Sequence, residues 1–141
     1  MFIFLSKVLF PDIFRAAGAH MQILIAEDNP INQKLVDLIC RKAGYQTRIV
    51  PDGSTAVDAI REGGIGLVLM DVMMPRMDGI EATRQIRALP GDESRTPIIA
   101  VTAHTDGENR EACHAAGMNA FLGKPVRPTE LLKMIASLLP A

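Results

Sequence analysis

Basic excess is missing from this 141-residue chain, in which 15 Lys and Arg face 16 Asp and Glu for a formal net charge of −1. A nucleic-acid surface needs clustered positive charge, so that class of partner is not indicated. Long hydrophobic runs are missing too: none approaches the roughly 20 apolar residues of a membrane span, which gives no sign of direct membrane insertion. Cysteine is scarce. Cys40 and Cys113 sit in separate helix-like segments and form no CxxC pair, which excludes a disulfide framework. Both read as small buried apolar residues of a reduced, cytoplasmic protein. Glycine is absent where a nucleotide-binding loop would need it, since "EDNPIN" follows the first strand-like run.

What remains is an ordinary globular composition, 48% apolar and 22% charged. One domain of this length buries roughly two-thirds of its unfolded-chain surface. The first twenty residues stand apart. "MFIFLSKVLFPDIFRAAGAH" holds four of the five phenylalanines and precedes a second methionine, Met21. No basic stretch precedes its apolar run, and Pro11 and Asp12 interrupt it, unlike a signal peptide. Residues 1–20 are read as an apolar extension: a leader or tag, the tail of a preceding domain, or an arm that packs on a partner. The regular domain is expected over residues 21–141.

From Met21 the chain alternates strand-like and helix-like segments. "QILIA" (22–26) is a short apolar run suited to a strand covered on both faces. Asn29-Pro30 starts a helix whose apolar positions Ile31, Leu35, Leu38 and Ile39 recur at helical spacing until Gly44. "YQTRIV" alternates, as an edge strand does, and a short helix carries Ala56, Val57, Ala59 and Ile60. "LVLM" predicts a central strand. Helices are expected over about 79–88 and 108–116, strands at "PIIAV" and "AFLG", and a closing helix over "PTELLKMIASLL". Five such units imply parallel strands joined by right-handed crossovers. The expected fold class is therefore α/β, a flavodoxin-like (βα)5 three-layer sandwich with strand order 2-1-3-4-5.

In such a sheet ligands bind at the carboxyl ends of the strands. Strand one ends on Glu27-Asp28, strand three on Asp71, strand four on Thr102, and strand five beside Lys124. The expected order brings three carboxylates, a hydroxyl and an ammonium to one crevice. Two carboxylates about 4 Å apart repel by roughly 4 kcal/mol at an effective dielectric near 20. One lysine does not balance three anions, whereas Mg²⁺ with oxygen ligands does. An aspartate carboxylate is also a known phosphate-accepting nucleophile, and phosphoryl transfer needs positioning, a metal and a cation.

With these residues placed, the chain resembles the receiver domains of bacterial two-component response regulators. The resemblance runs through "ILIAEDNPINQ", "LVLMDVMMPRMDGIEATRQIR", "PIIAVTAH" and "GMNAFLGKPV", and its pattern is nearest to receivers of hybrid sensor histidine kinases. It implies that Asp71 is the phosphoacceptor, and that Asp28, Asp71 and the backbone carbonyl of Met73 bind Mg²⁺, with Glu27 acting through a water. It implies that Thr102 bonds the incoming phosphoryl group, that Lys124 pairs with a phosphoryl oxygen, and that the Lys124–Pro125 bond is cis. Phe121 falls at the aromatic switch position. Glu27, Phe121, Asn119-Ala120 and Gly123 depart from the commonest family residues. Met73 and His104 fall where the family tunes hydrolysis of the acyl phosphate.

The implied function is a signalling receiver, not an enzyme with turnover beyond its own phosphorylation and slow dephosphorylation. Its partner would be a sensor histidine kinase or a histidine phosphotransfer protein. Helix 4, strand 5 and helix 5, or the N-terminal arm, are the candidate homodimer faces. Because the sequence stops directly after the last helix, a stand-alone regulator or a receiver excised from a hybrid kinase is expected. An aspartate-nucleophile phosphatase of similar fold is the alternative. It needs a second acidic residue two positions after the nucleophile, where this chain has Met73.

Overall fold

The computed structural model describes residues 21–139. The N-terminal extension and its reading as an arm lie outside the described residues. Five strands form one sheet in the order β2-β1-β3-β4-β5, every neighbouring pair parallel. They are β1 (Gln22–Ala26), β2 (Thr47–Val50), β3 (Ile65–Asp71), β4 (Ile98–Thr102) and β5 (Ala120–Gly123). Between and after them run α1 (Pro30–Lys42), α2 (Gly53–Glu62), α3 (Gly79–Arg87), α4 (Gly107–Ala116) and α5 (Pro128–Leu138). The expected fold class is the observed one.

Four of the five helices start where a side chain satisfies free backbone donors. Asn29, Asp52, Asp78 and Asp106 accept N–H bonds from the first turns of α1, α2, α3 and α4. Proline occupies the first turn of α1 and α5, where its missing donor costs nothing. Gly117 closes α4 with φ of 109°, a left-handed turn that disfavours other residues.

Alternate strand residues face opposite layers, so the sheet carries two cores. Leu24, Val68, Met70 and Ala100 meet Ile60 of α2, Ile86 of α3 and Cys113 of α4. Ile23, Ile25, Leu67, Leu69 and Ile99 meet Ile39 and Cys40 of α1 and Leu131 and Ile135 of α5. Every residue of β3 is buried, as its unbroken apolar run predicts. Each fully buried Leu or Ile contributes about 2 kcal/mol of transfer free energy. Both cysteines are buried and unpaired, in keeping with their sequence reading.

Two features differ from the sequence expectation. The apolar spacing in α1 predicts that Ile31, Leu35 and Leu38 share a buried face with Ile39. In fact Val36, Ile39 and Cys40 face the sheet, while Ile31, Leu35 and Leu38 are 76%, 40% and 57% exposed. The sheet needs one side of α1, and the remaining apolar residues are left as a stripe on the solvent side. After α3, a short 3₁₀ turn at Asp92–Arg95 precedes β4, in a stretch that reads only as loop. Among the described residues no helix is long and apolar enough to cross a membrane.

Candidate functional site

The carboxyl ends of β1, β3, β4 and β5 lie along one edge of the sheet, because the strands are parallel and adjacent. Glu27, Asp28, Asn29, Asn32, Asp71, Met73, Ala103, His104 and Lys124 line a crevice of about 260 Å³ there. Carboxylate oxygens of Glu27, Asp28 and Asp71 all lie within 4.8 Å of one another. Asp28 is exposed, whereas Glu27 and Asp71 are each 4% exposed. Such a set of hard oxygen donors fits a divalent cation.

Lys124 answers part of this charge. Its Nζ lies 3.0 Å from Glu27 Oε1 and 3.3 Å from Asp71 Oδ2. Its backbone N–H donates to the Thr102 carbonyl over 2.8 Å, which ties the end of β5 to that of β4. The Lys124–Pro125 peptide is cis, as the resemblance implies. Glu27 is fixed further: its Oε2 accepts from Asn29 N–H at 3.0 Å, and its carbonyl from Gln33 Nε2 at 2.6 Å. Met73 N–H donates to Asp71 Oδ1 over 3.3 Å.

The arrangement is electrostatically frustrated. Burial and the nearby Glu27 carboxylate raise the Asp71 carboxyl from 3.8 to about 6, although Lys124 opposes them. Burial works against the Lys124 ammonium, but Glu27 and Asp71 outweigh it and hold the amine above its ordinary value. Between those two Asp71 values the metal-free native state binds a proton that the unfolded chain does not. Metal-free stability should therefore rise by about 1 kcal/mol as pH falls from 7 to 5. Urea unfolding without divalent ions at the two pH values checks this, and Asp71→Asn should remove the gain.

Not all sequence-predicted residues meet in the crevice. Thr102 is fully buried just beneath it, and its Oγ1 accepts from His104 N–H at 3.0 Å. Phe121 lies on the α4 side of β5, half-buried, with the Arg110 guanidinium 4.5 Å above its ring. Asn29 and Asn32 line the crevice although sequence reasoning gave Asn29 only a capping role and Asn32 none. Their signal was present in "EDNPIN": the first helical turn must pass the mouth of any site at the end of β1.

A five-stranded parallel sheet with buried carboxylates and a lysine at the carboxyl ends of its strands defines a flavodoxin-like α/β fold with a charged ligand crevice. Residues 23–136 match the response regulator receiver domain family, and the chain belongs to that family. It is a receiver domain of the two-component phosphorelay kind.

The relatives agree. Sensor protein GacS of Pseudomonas syringae pv. syringae is 34% identical over 139 residues, covering 93% of this chain and 15% of that protein. The histidine-protein kinase BarA of Escherichia coli K12 is 35% identical over 115 residues, 82% of this chain and 12% of that protein. The chain thus spans a small part of these curated relatives. Among solved structures, the receiver domain of a sensor histidine kinase from Pseudomonas aeruginosa is 40% identical, with a TM-score of 0.79. It covers 85% of this chain and 98% of that one, and carries a magnesium ion coordinated in its active-site cleft.

Proposed function

We propose that this chain accepts a phosphoryl group on Asp71, in a Mg²⁺-dependent transfer from a phosphohistidine. One observation carries the reading: buried Asp71 shares the Lys124 ammonium with Glu27, and its carboxylate gathers with those of Glu27 and Asp28 within 4.8 Å. A cluster with more anions than cations is tolerable when a divalent ion completes it. Asp28, Asp71 and the Met73 carbonyl would hold Mg²⁺, Glu27 acting through a water; the ion would neutralise the phosphoryl oxygens.

Transfer itself is a substitution at phosphorus. An Asp71 carboxylate oxygen forms the new P–O bond as the P–N bond of the donor breaks, and that electron pair returns to the departing imidazole. Lys124 pairs with a phosphoryl oxygen and offsets the charge gained there. The Thr102 hydroxyl turns from its His104 contact to donate to another phosphoryl oxygen. Phe121 then moves as the packing beneath it changes, which passes the signal to a partner. The chain is a receiver without turnover beyond gaining and slowly losing this group. It works in the cytoplasm, and its regular domain extends over residues 21–141.

A sensor histidine kinase or a histidine phosphotransfer protein is the donor. The names of the relatives support this, and so does the exposed stripe of Ile31, Leu35 and Leu38 on α1, the helix whose first turn lines the crevice at Asn32, with Met73 60% exposed at its rim. An apolar patch next to a charged pocket suits a transient helical partner. A homodimer would form through helix α4, strand β5 and helix α5, or through the N-terminal arm.

Beryllofluoride, a stand-in for the phosphoryl group, tests the reading. It should raise the melting temperature only with Mg²⁺ present, and Asp71→Asn should abolish the shift. A shift that survives Asp71→Asn removes the assignment.

A further inference from the structure

The loop that follows Asp71 leaves the sheet and returns at Gly79, and its outermost turn is pinned to a different part of the fold. Arg76 has φ of 66°, the left-handed region that residues with a β-carbon seldom adopt. Glycine would fit there without strain, yet the chain carries arginine. Its Nε and Nη2 donate to the same oxygen, Asp52 Oδ2, at 2.9 and 2.6 Å. Asp52 is 4% exposed, and its other oxygen accepts from Thr55 N–H and Thr55 Oγ1, each at 2.8 Å. A second tie lies alongside: Gly53 N–H donates to the Met77 carbonyl at 3.0 Å. A β-carbon on Gly53 would collide with that same carbonyl, so the loop and the start of α2 touch backbone to backbone.

We propose that the Arg76–Asp52 ion pair is a positioning device for the crevice, clamping the 73–77 turn to the first turn of α2 so that the Met73 carbonyl stays aimed at a bound cation. The inference rests on the reading of Met73 as a Mg²⁺ ligand. Two residues separate Met73 from Arg76, and one of them, Pro75, restricts Met74 and its own φ. The turn therefore moves nearly as a unit. At the root of the loop Gly79 N–H meets the Val72 carbonyl at 2.9 Å, and Met73 N–H reaches Asp71 itself. With the root fixed, the far anchor decides how the carbonyl between them is oriented. Arg76 touches neither the cation nor the phosphoryl group.

The test compares Mg²⁺ dissociation constants by calorimetry for the wild type, Arg76→Gly, Asp52→Asn, the double variant and Arg76→Lys. Asn at position 52 keeps a cap for α2 and loses the charge. Gly at position 76 relieves the backbone and loses the guanidinium. Each single variant should bind Mg²⁺ about tenfold more weakly, the size of effect that partners of metal ligands commonly show. The double variant should lose no more than either single one, and Arg76→Lys should recover part of the affinity. Melting temperatures in EDTA should stay within a few degrees of wild type. Single variants that bind within twofold of wild type overturn the inference, as does a loss that merely follows an equal fall in the EDTA melting temperature. A wild-type protein that binds no Mg²⁺ overturns the metal reading beneath it instead.

Discussion

Replacing Arg87 by alanine should lower the unfolding free energy by about 3 kcal/mol, without any contact to the crevice. Arg87 is half-buried at the end of α3, and burial holds its guanidinium below the usual arginine range. Its Nη1 donates to the carbonyls of Ser94 and Thr96 at 2.8 and 2.7 Å, and its Nε to that of Gly117 at 2.9 Å. Nη2 donates to Asn119 Oδ1 at 2.9 Å, and the same oxygen accepts from Ile98 N–H at 2.8 Å. One side chain thus joins α3, the 3₁₀ turn, the end of α4 and the starts of β4 and β5. Alanine would leave these acceptors without their charged donor, and each such bond contributes about 1 kcal/mol or more. The melting temperature should fall by about 10 °C. Lysine should restore little, because an ammonium lacks the planar fork that reaches several carbonyls at once. Thermal unfolding of the two variants measures this.

The same contacts give Asn119 its place in the fold. Its amide oxygen accepts from both Arg87 and the first N–H of β4, a role for which a neutral side chain suffices.

The second large effect is expected at the crevice. Lys124→Ala should slow phosphoryl uptake from acetyl phosphate by about 100-fold, with Mg²⁺ saturating. Loss of one preorganised donor at the site of developing charge costs that much in comparable reactions. The variant also removes the cation that, among the described residues, pairs with buried Glu27 and Asp71. Its metal-free form should therefore unfold more readily than wild type, and added Mg²⁺ should recover part of the difference. Rates by intact mass and melting curves with and without Mg²⁺ report the two effects separately. Uptake within threefold of wild type would show that Lys124 does not face the transferred group.

The sheet and the crevice were largely legible because both arise from local signals. Unbroken apolar runs at 23–26 and 67–70 mark strands covered on both faces, and a parallel order necessarily lines up the residues just beyond their carboxyl ends. Glu27, Asp28, Asp71 and Lys124 could thus be grouped by their place after a strand alone. The solvent-facing stripe of α1 was not legible, because helical spacing is the same whether an apolar residue meets the sheet or a partner. Arg87 and Arg76 were invisible for another reason. They reach Gly117, Asn119 and Asp52 across 30, 32 and 24 residues, and no local pattern marks an arginine whose acceptors lie that far away.

The most direct test of the account is to trap the phosphoryl group where it lands. Borohydride reduces an aspartyl phosphate to homoserine and leaves a free carboxylate alone. After treatment with acetyl phosphate and Mg²⁺, peptide mass mapping should find homoserine at position 71, and EDTA should prevent its formation. Homoserine at another aspartate, or at position 71 regardless of Mg²⁺, would contradict the account.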